Sequence, residues 1–142
     1  PSSVMAVDYA PFGPLFERAA AIVHHGGIGT TALGLHAGRP MLFMPCAWDQ
    51  PDNAARAGRL GVARSLPRSR YQALRVAREL EHLLDDHVYE QRARTIAMHV
   101  RAEDGARVAT DAILHVMGWP SGHAATPATE ISAGPDDGSK PA

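Results

Sequence analysis

"IVHHGGIGTTALGLHAGRP", residues 22–40, sets two histidines and a run of glycines between an apolar stretch and a helix-like one. "AAIVHH" (20–25) reads as a strand and "TTALGLHA" (30–37) as a helix. Gly26, Gly27 and Gly29 then stand at the strand's carboxyl end and the helix's amino end. In open α/β sheets that junction is where ligands bind. A helix amino end offers unpaired N–H groups and a partial positive charge, which suits phosphate. Glycine lets the backbone approach a ligand closely. The hydroxyls of Thr30 and Thr31 can add hydrogen bonds, and His25 can donate to a phosphate oxygen, more strongly when protonated. The turn therefore points to an anion of the phosphate or diphosphate class.

The pattern continues on both sides. "VMAV" (4–7), "AAIVHH" (20–25), "PMLFMP" (40–45) and "GVARSL" (61–66) read as strands, with helical stretches between them. Strand and helix in turn predict an α/β fold, a Rossmann-like parallel sheet with flanking helices. Gly38 before Pro40 marks a helix stop and strand restart. Pro51 suits a first helical turn, with Asp49 or Gln50 near the cap. Ser69 and Gln72 match the capping box S-x-x-Q, opening a helix whose apolar stripe runs through Tyr71, Leu74, Ala77, Leu80 and Leu84. Residues 88–117 are helical again, broken at "AEDG" (102–105). Ile96 and Val100 form one apolar stripe, and Ala109, Ile113 and Val116 another. One domain is expected over 1–118, and the Pro-, Gly- and Ser-rich 119–142 as a disordered tail.

Composition narrows the function. Lys+Arg 14 against Asp+Glu 15 gives a net charge of −1, no footprint for nucleic acid. No apolar run is long enough for a transmembrane helix, and no signal peptide is visible. The single cysteine, Cys46, fits a reducing, cytoplasmic setting. A first residue of Pro rather than Met suggests a piece of a longer chain.

A P-loop needs a lysine that this turn lacks. Gly27-Ile28-Gly29-Thr30-Thr31-Ala32 does match G-x-G-x-x-[GA], with Asp49 about twenty residues on, so an NAD-binding Rossmann domain stays open. A second polar cluster, "WDQPDNA" (48–54), follows the next strand and so lies on the same sheet edge. Asp49 and Gln50 offer a carboxylate and an amide, which suit the hydroxyls of a sugar. Helix capping is the plainer reading of either residue.

Taken together, "HHGGIGTTALGLHAGRPMLFMPCAWDQPDNAARAGRLGVA" (24–63) closely resembles the donor-binding segment of GT-B fold nucleotide-diphosphate-sugar glycosyltransferases. The nearest likeness is to family 1 and family 28 members, including sterol 3-beta-glucosyltransferases and bacterial antibiotic glycosyltransferases. It extends over about residues 4–117, the later part of the GT-B C-terminal domain. The resemblance implies hexosyl transfer from a UDP- or dTDP-sugar to an acceptor hydroxyl. It places His25, Gly27, Gly29 and Thr30 on the donor diphosphate, and Asp49 and Gln50 on the donor sugar. It implies no bound metal, and an acceptor, small molecule or lipid, held by an N-terminal half that this chain lacks. The catalytic base belongs to that half, so no catalytic residue is assigned and the chain alone is expected to be inactive. A separate donor-binding subunit of a split enzyme fits the same residues.

Many members of the family that the chain resembles carry a tryptophan that stacks on the base or shapes its site in the segment around residues 9–14; here Tyr9 or Phe12 is the aromatic residue available to substitute. Their plant branch has a ribose-binding glutamate near the position of Leu33. Among the remaining residues, His24 is expected to pack, Cys46 to be buried, and Trp48 either to wall the sugar pocket or to join the core. The arginines at 68, 70, 75 and 78 read as a solvated basic face, and His36, His82, His87, His99 and His115 lack metal-ligand spacing.

Overall fold

The computed structural model describes residues 3–119. In chain order they form α1 (Phe12–Arg18), β1 (Ile22–His24), α2 (Ile28–Ala37), β2 (Met41–Phe43), α3 (Gln50–Arg59), β3 (Ala63–Ser65), a 3-10 turn (Arg68–Arg70), α4 (Ala73–Asp85), α5 (His87–Ala102) and α6 (Gly105–Val116). The chain divides into two units, the second beginning at Asp104. The expected tail, apart from Trp119, lies outside the described residues.

The first unit is the α/β layer that the sequence predicts. Its three strands are parallel in the order β1-β2-β3, with Ile22 beside Met41 and Met41 beside Ala63. Parallel strands need crossovers, and α2 and α3 supply them. β2 is the middle strand, and Met41, Leu42 and Phe43 are all fully buried. Successive side chains on a strand point to opposite faces, so β2 is covered on both. Met41 and Phe43 join a core with Phe16, Ile22, Ala54, Ala57 and Val62. Leu42 faces the other way, and α4, which contacts β2 and β3, contributes the buried Leu83.

Local stops follow residue chemistry. Gly38 ends α2 in the left-handed conformation at φ 69°, its N–H donating to Gly34 and Leu35 oxygens. A Cβ on Gly34 would lie 2.5 Å from Met41 Sδ, so this glycine seats α2 directly on β2. Asp86 caps α5 through its carboxylate, which accepts from Val88 N–H. Arg64 on β3 pairs with Glu79 of α4 and donates to the Tyr89 hydroxyl of α5, 3.1 Å away.

Four expectations need correction. Residues 4–7 form no strand, and Val4, Met5 and Val7 are exposed, because no neighbouring strand pairs with them among the described residues. The capping box at Ser69 does not form. Arg70 N–H closes a turn onto Pro67 oxygen at 2.8 Å, and the extended Gln72 caps α4 instead, without a side-chain bond. The inward stripe of α4 runs through the half-buried Val76 and Leu80 and the buried Leu83, whereas Leu74 and Leu84 face solvent. In α6, described by itself, Ile113 and Val116 are exposed and no residue is buried.

On α5 the stripe holds with smaller residues at its centre. Ala93 and Ala97 are buried, while Ile96 and Val100 are half-buried beside them. A Cβ on Gly38 would stand 3.0 Å from Ala97 Cβ, which is how closely the end of α2 meets α5.

Candidate functional site

Because the three strands are parallel, the segments leaving β1 and β2 emerge on the same edge of the sheet. The glycine turn leaves β1. Gly26 has φ 96°, and a Cβ there would meet Phe43 Cδ1 at 2.8 Å. Only glycine fits both the conformation and the space. Gly27 caps α2 without any side-chain cap, and no acidic residue stands in the first turn. Thr31 N–H takes Gly27 oxygen at 3.0 Å, leaving the N–H groups of Ile28, Gly29 and Thr30 with no partner within the helix.

His25 is exposed and its ring lies back over this helix end, with Nε2 2.8 Å from where a Cβ on Gly27 would sit. Gly29 differs from its neighbours, because nothing lies within 4 Å of a Cβ built there. Tight packing therefore explains Gly26 and Gly34 but not Gly29. The two threonines divide. Thr31 is buried and its hydroxyl donates to Gly27 oxygen at 2.9 Å, so it holds the turn rather than facing outward. Thr30 is half-buried, and its hydroxyl has no partner among the described residues.

His24 packs, as expected, with its ring centroid 4.4 Å from that of Phe43. Its Nδ1 accepts from Gly26 N–H at 3.2 Å, which puts the proton of the neutral ring on Nε2. That Nε2 is buried without a partner among the described residues. Burial, and then the charge of neighbouring His25, lower the His24 pKa from 6.5 to about 4. His24 is thus a neutral brace beneath the turn.

The second cluster leaves β2. Asp49 is exposed at the start of α3, with Oδ2 accepting from Asn53 Nδ2 at 2.8 Å. Asn53 Nδ2 also donates to Gly26 oxygen at 3.0 Å. Asn53 is the residue that sequence reasoning passed over, and it ties the two clusters together. Gln50 is buried, its Oε1 accepting from Cys46 N–H at 2.8 Å and Ala47 N–H at 3.2 Å. Its carbonyl end holds the loop, and its amide nitrogen has no partner among the described residues.

One neighbour differs from expectation, and a second narrows its two alternatives to one. Cys46 is exposed, because the loop that Gln50 clamps carries it out of the core. Trp48 is 91% exposed, which removes the core alternative, and it has φ 54°. Tyr9 and Phe12 line a cleft of about 420 Å³ with Val7, Asp8 and Ala10. Arg70, Arg75 and Arg78 line another of about 470 Å³ after β3 and are exposed, as a solvated face would be. Among the described residues, no three His, Cys, Asp or Glu side chains stand together as a metal group would. No helix among them is long and apolar enough to cross a membrane.

Residues 1–117 match the family described as "Erythromycin biosynthesis protein CIII-like, C-terminal domain". The chain belongs to that family. Its curated relatives include glycosyltransferases. The O-mycaminosyltylonolide 6-deoxyallosyltransferase of Streptomyces fradiae is 38% identical over 106 residues, 74% of this chain and 25% of the relative. A sterol 3-beta-glucosyltransferase of Arabidopsis thaliana is 37% identical over 110 residues, 77% of this chain and 17% of the relative.

Solved glycosyltransferase structures share the fold. The kitacinnamycin glycotransferase superposes with a TM-score of 0.74 at 31% identity, covering 81% of this chain and 30% of that one. The glycosyltransferase VinC, solved in complex with dTDP, gives 0.77 at 28% identity, covering 83% and 30%. The fold is thus that of the GT-B C-terminal portion. The chain spans a quarter or less of the length of the two curated relatives. Family membership favours a glycosyltransferase domain over the dinucleotide reading of the glycine pattern.

Proposed function

We propose that this chain is the donor-binding part of a glycosyltransferase and holds a UDP- or dTDP-hexose at the edge shared by the glycine turn and the β2–α3 cluster. The observation that carries the reading is the amino end of α2. It is uncapped and free of acidic residues, His25 lies across it, and Gly29 faces open space. Those are the requirements of a diphosphate that contacts backbone N–H groups directly.

In this reading His25, Gly27, Gly29 and Thr30 hold the diphosphate. Asp49 and the amide nitrogen of Gln50 meet sugar hydroxyls, and Tyr9 and Phe12 offer a face to the base. In the complete reaction an acceptor oxygen bonds to the anomeric carbon as the bond to the diphosphate breaks. Charge grows on the departing diphosphate, and fixed N–H dipoles aimed at it stabilise that charge. The helix end and His25 meet it without a metal. The acceptor, a small molecule or a lipid, and the group that takes its proton lie outside this chain. Alone it binds donor without transferring sugar, whether it works within a continuous enzyme or as a separate subunit.

Calorimetric titration with uridine diphosphate, thymidine diphosphate and NADH tests this. A nucleoside diphosphate binds, and more weakly to His25→Ala. Binding of NADH alone overturns the proposal.

A further inference from the structure

Trp48 stands at the tip of the β2–α3 turn under two adverse conditions at once. It is the one non-glycine residue with positive φ among the described residues, at 54°, and its side chain is 91% exposed. A left-handed backbone crowds Cβ against the following carbonyl oxygen. An indole left in water forgoes the burial that usually stabilises an aromatic residue. Packing within the fold accounts for neither feature.

The conformation is imposed by the turn. Gln50 N–H closes onto Ala47 oxygen at 3.3 Å, while Gln50 Oε1 holds the N–H groups of Cys46 and Ala47. Asp49 follows with φ −75° and ψ −12°. A positive φ followed by that geometry belongs to a type of turn whose first central residue favours glycine. Here the position is filled by the bulkiest side chain available, immediately before Asp49. Backbone strain maintained by the surrounding structure is a feature of ligand-binding sites.

We infer that Trp48 is the specificity-determining platform for the donor sugar. The indole face takes the apolar C–H face of the hexosyl ring, while Asp49 takes hydroxyls at its edge. The π face of an aromatic ring carries partial negative charge and attracts the weakly positive C–H groups of a pyranose. This rests on the donor-binding reading above, and adds that affinity for the sugar is separable from affinity for the diphosphate. The strained turn holds the platform in place before ligand arrives, so less ordering is needed on binding.

The test compares Trp48→Gly and Trp48→Phe with the unaltered chain, each titrated with uridine diphosphate and UDP-glucose, and with thymidine diphosphate and dTDP-glucose. Glycine suits the backbone, so circular dichroism and thermal unfolding of Trp48→Gly remain those of a folded chain. Trp48→Gly is expected to bind the sugar nucleotide about tenfold more weakly, with the bare diphosphate changed less than about twofold. Trp48→Phe recovers most of the loss. Equal weakening of both ligands, or no change in either, overturns the platform while leaving the donor site standing. If the unaltered chain binds no nucleoside diphosphate at all, the donor-binding reading falls and the platform with it.

Discussion

The side-chain nitrogen of Asn53 donates to Gly26 oxygen at 3.0 Å across 27 residues of sequence, and to Asp49 Oδ2 at 2.8 Å. One amide thus fixes the start of α3 to the glycine turn, setting the distance between the two halves of the site. Asn53→Ala is expected to lower stability by about 1 kcal/mol, the worth of a typical hydrogen bond. Nucleoside diphosphate binding weakens in parallel. Asn53→Asp goes further, because it places a carboxylate against both Asp49 and a carbonyl oxygen. Denaturant titrations at neutral pH and near pH 3 check this, since the excess loss over alanine shrinks once carboxylates protonate.

Gly26 and Gly29 give opposite results on stability. Gly29→Ala meets open space inside a helix, so unfolding free energy rises by about 0.5 kcal/mol through helix propensity. The same methyl obstructs the approach to the exposed N–H groups, and diphosphate affinity falls. Gly26→Ala meets Phe43 in a left-handed conformation and destabilises by about 2 kcal/mol or more. Thermal unfolding beside calorimetry separates the pair. A Gly29→Ala chain that binds as well as the original would remove the close-approach argument.

His24 makes stability depend on acidity. Its folded pKa is about 4, below the ordinary 6.5, so between those values the unfolded chain binds the extra proton. The stabilisation is complete above about pH 6.5 and is lost as pH falls toward 4. Allowing for partial solvent exposure, it amounts to on the order of 1–2 kcal/mol. His24→Asn keeps an acceptor for Gly26 N–H but does not titrate. Stability curves between pH 4 and 7 are expected to flatten in that variant.

Gln50 separates scaffold from contact. Gln50→Glu preserves an acceptor for the N–H groups of Cys46 and Ala47 but removes the amide donor, so the fold stands while sugar-nucleotide affinity drops. Gln50→Ala abandons both N–H groups and lowers stability by about 1–2 kcal/mol. The exposed Cys46 thiol reports the second case, because its rate of alkylation rises as the loop loosens.

The elements legible in the sequence were those specified by neighbours. Strand segments at 22–24, 41–43 and 63–65 fall inside the runs marked by apolar composition, and Gly38 ends its helix through its own φ. The segment at 4–7 has the same composition but no partner strand among the described residues, and composition cannot supply one. The α4 stripe was misplaced because two helical phases fit its leucines, and only β2 and β3 choose between them. At the site, the glycines and Asp49 announced themselves by residue type. The link from Asn53 to Gly26 did not, because a hydrogen bond across 27 residues of sequence leaves no local pattern. Trp48 was visible as a residue but not as a backbone angle.

The complete burial of Met41, Leu42 and Phe43 has an implication for how such a protein changes over generations. The strand beneath the site tolerates almost no variation in volume, whereas just beyond it Trp48 and Asp49 stand in solvent. A saturation library scored separately for folding and for binding should therefore show two blocks with little overlap. Substitutions at 41–43 should remove folded protein, and substitutions at 48 and 49 should alter only what is bound. New sugar preferences can then arise by drift at the rim while the foundation stays untouched.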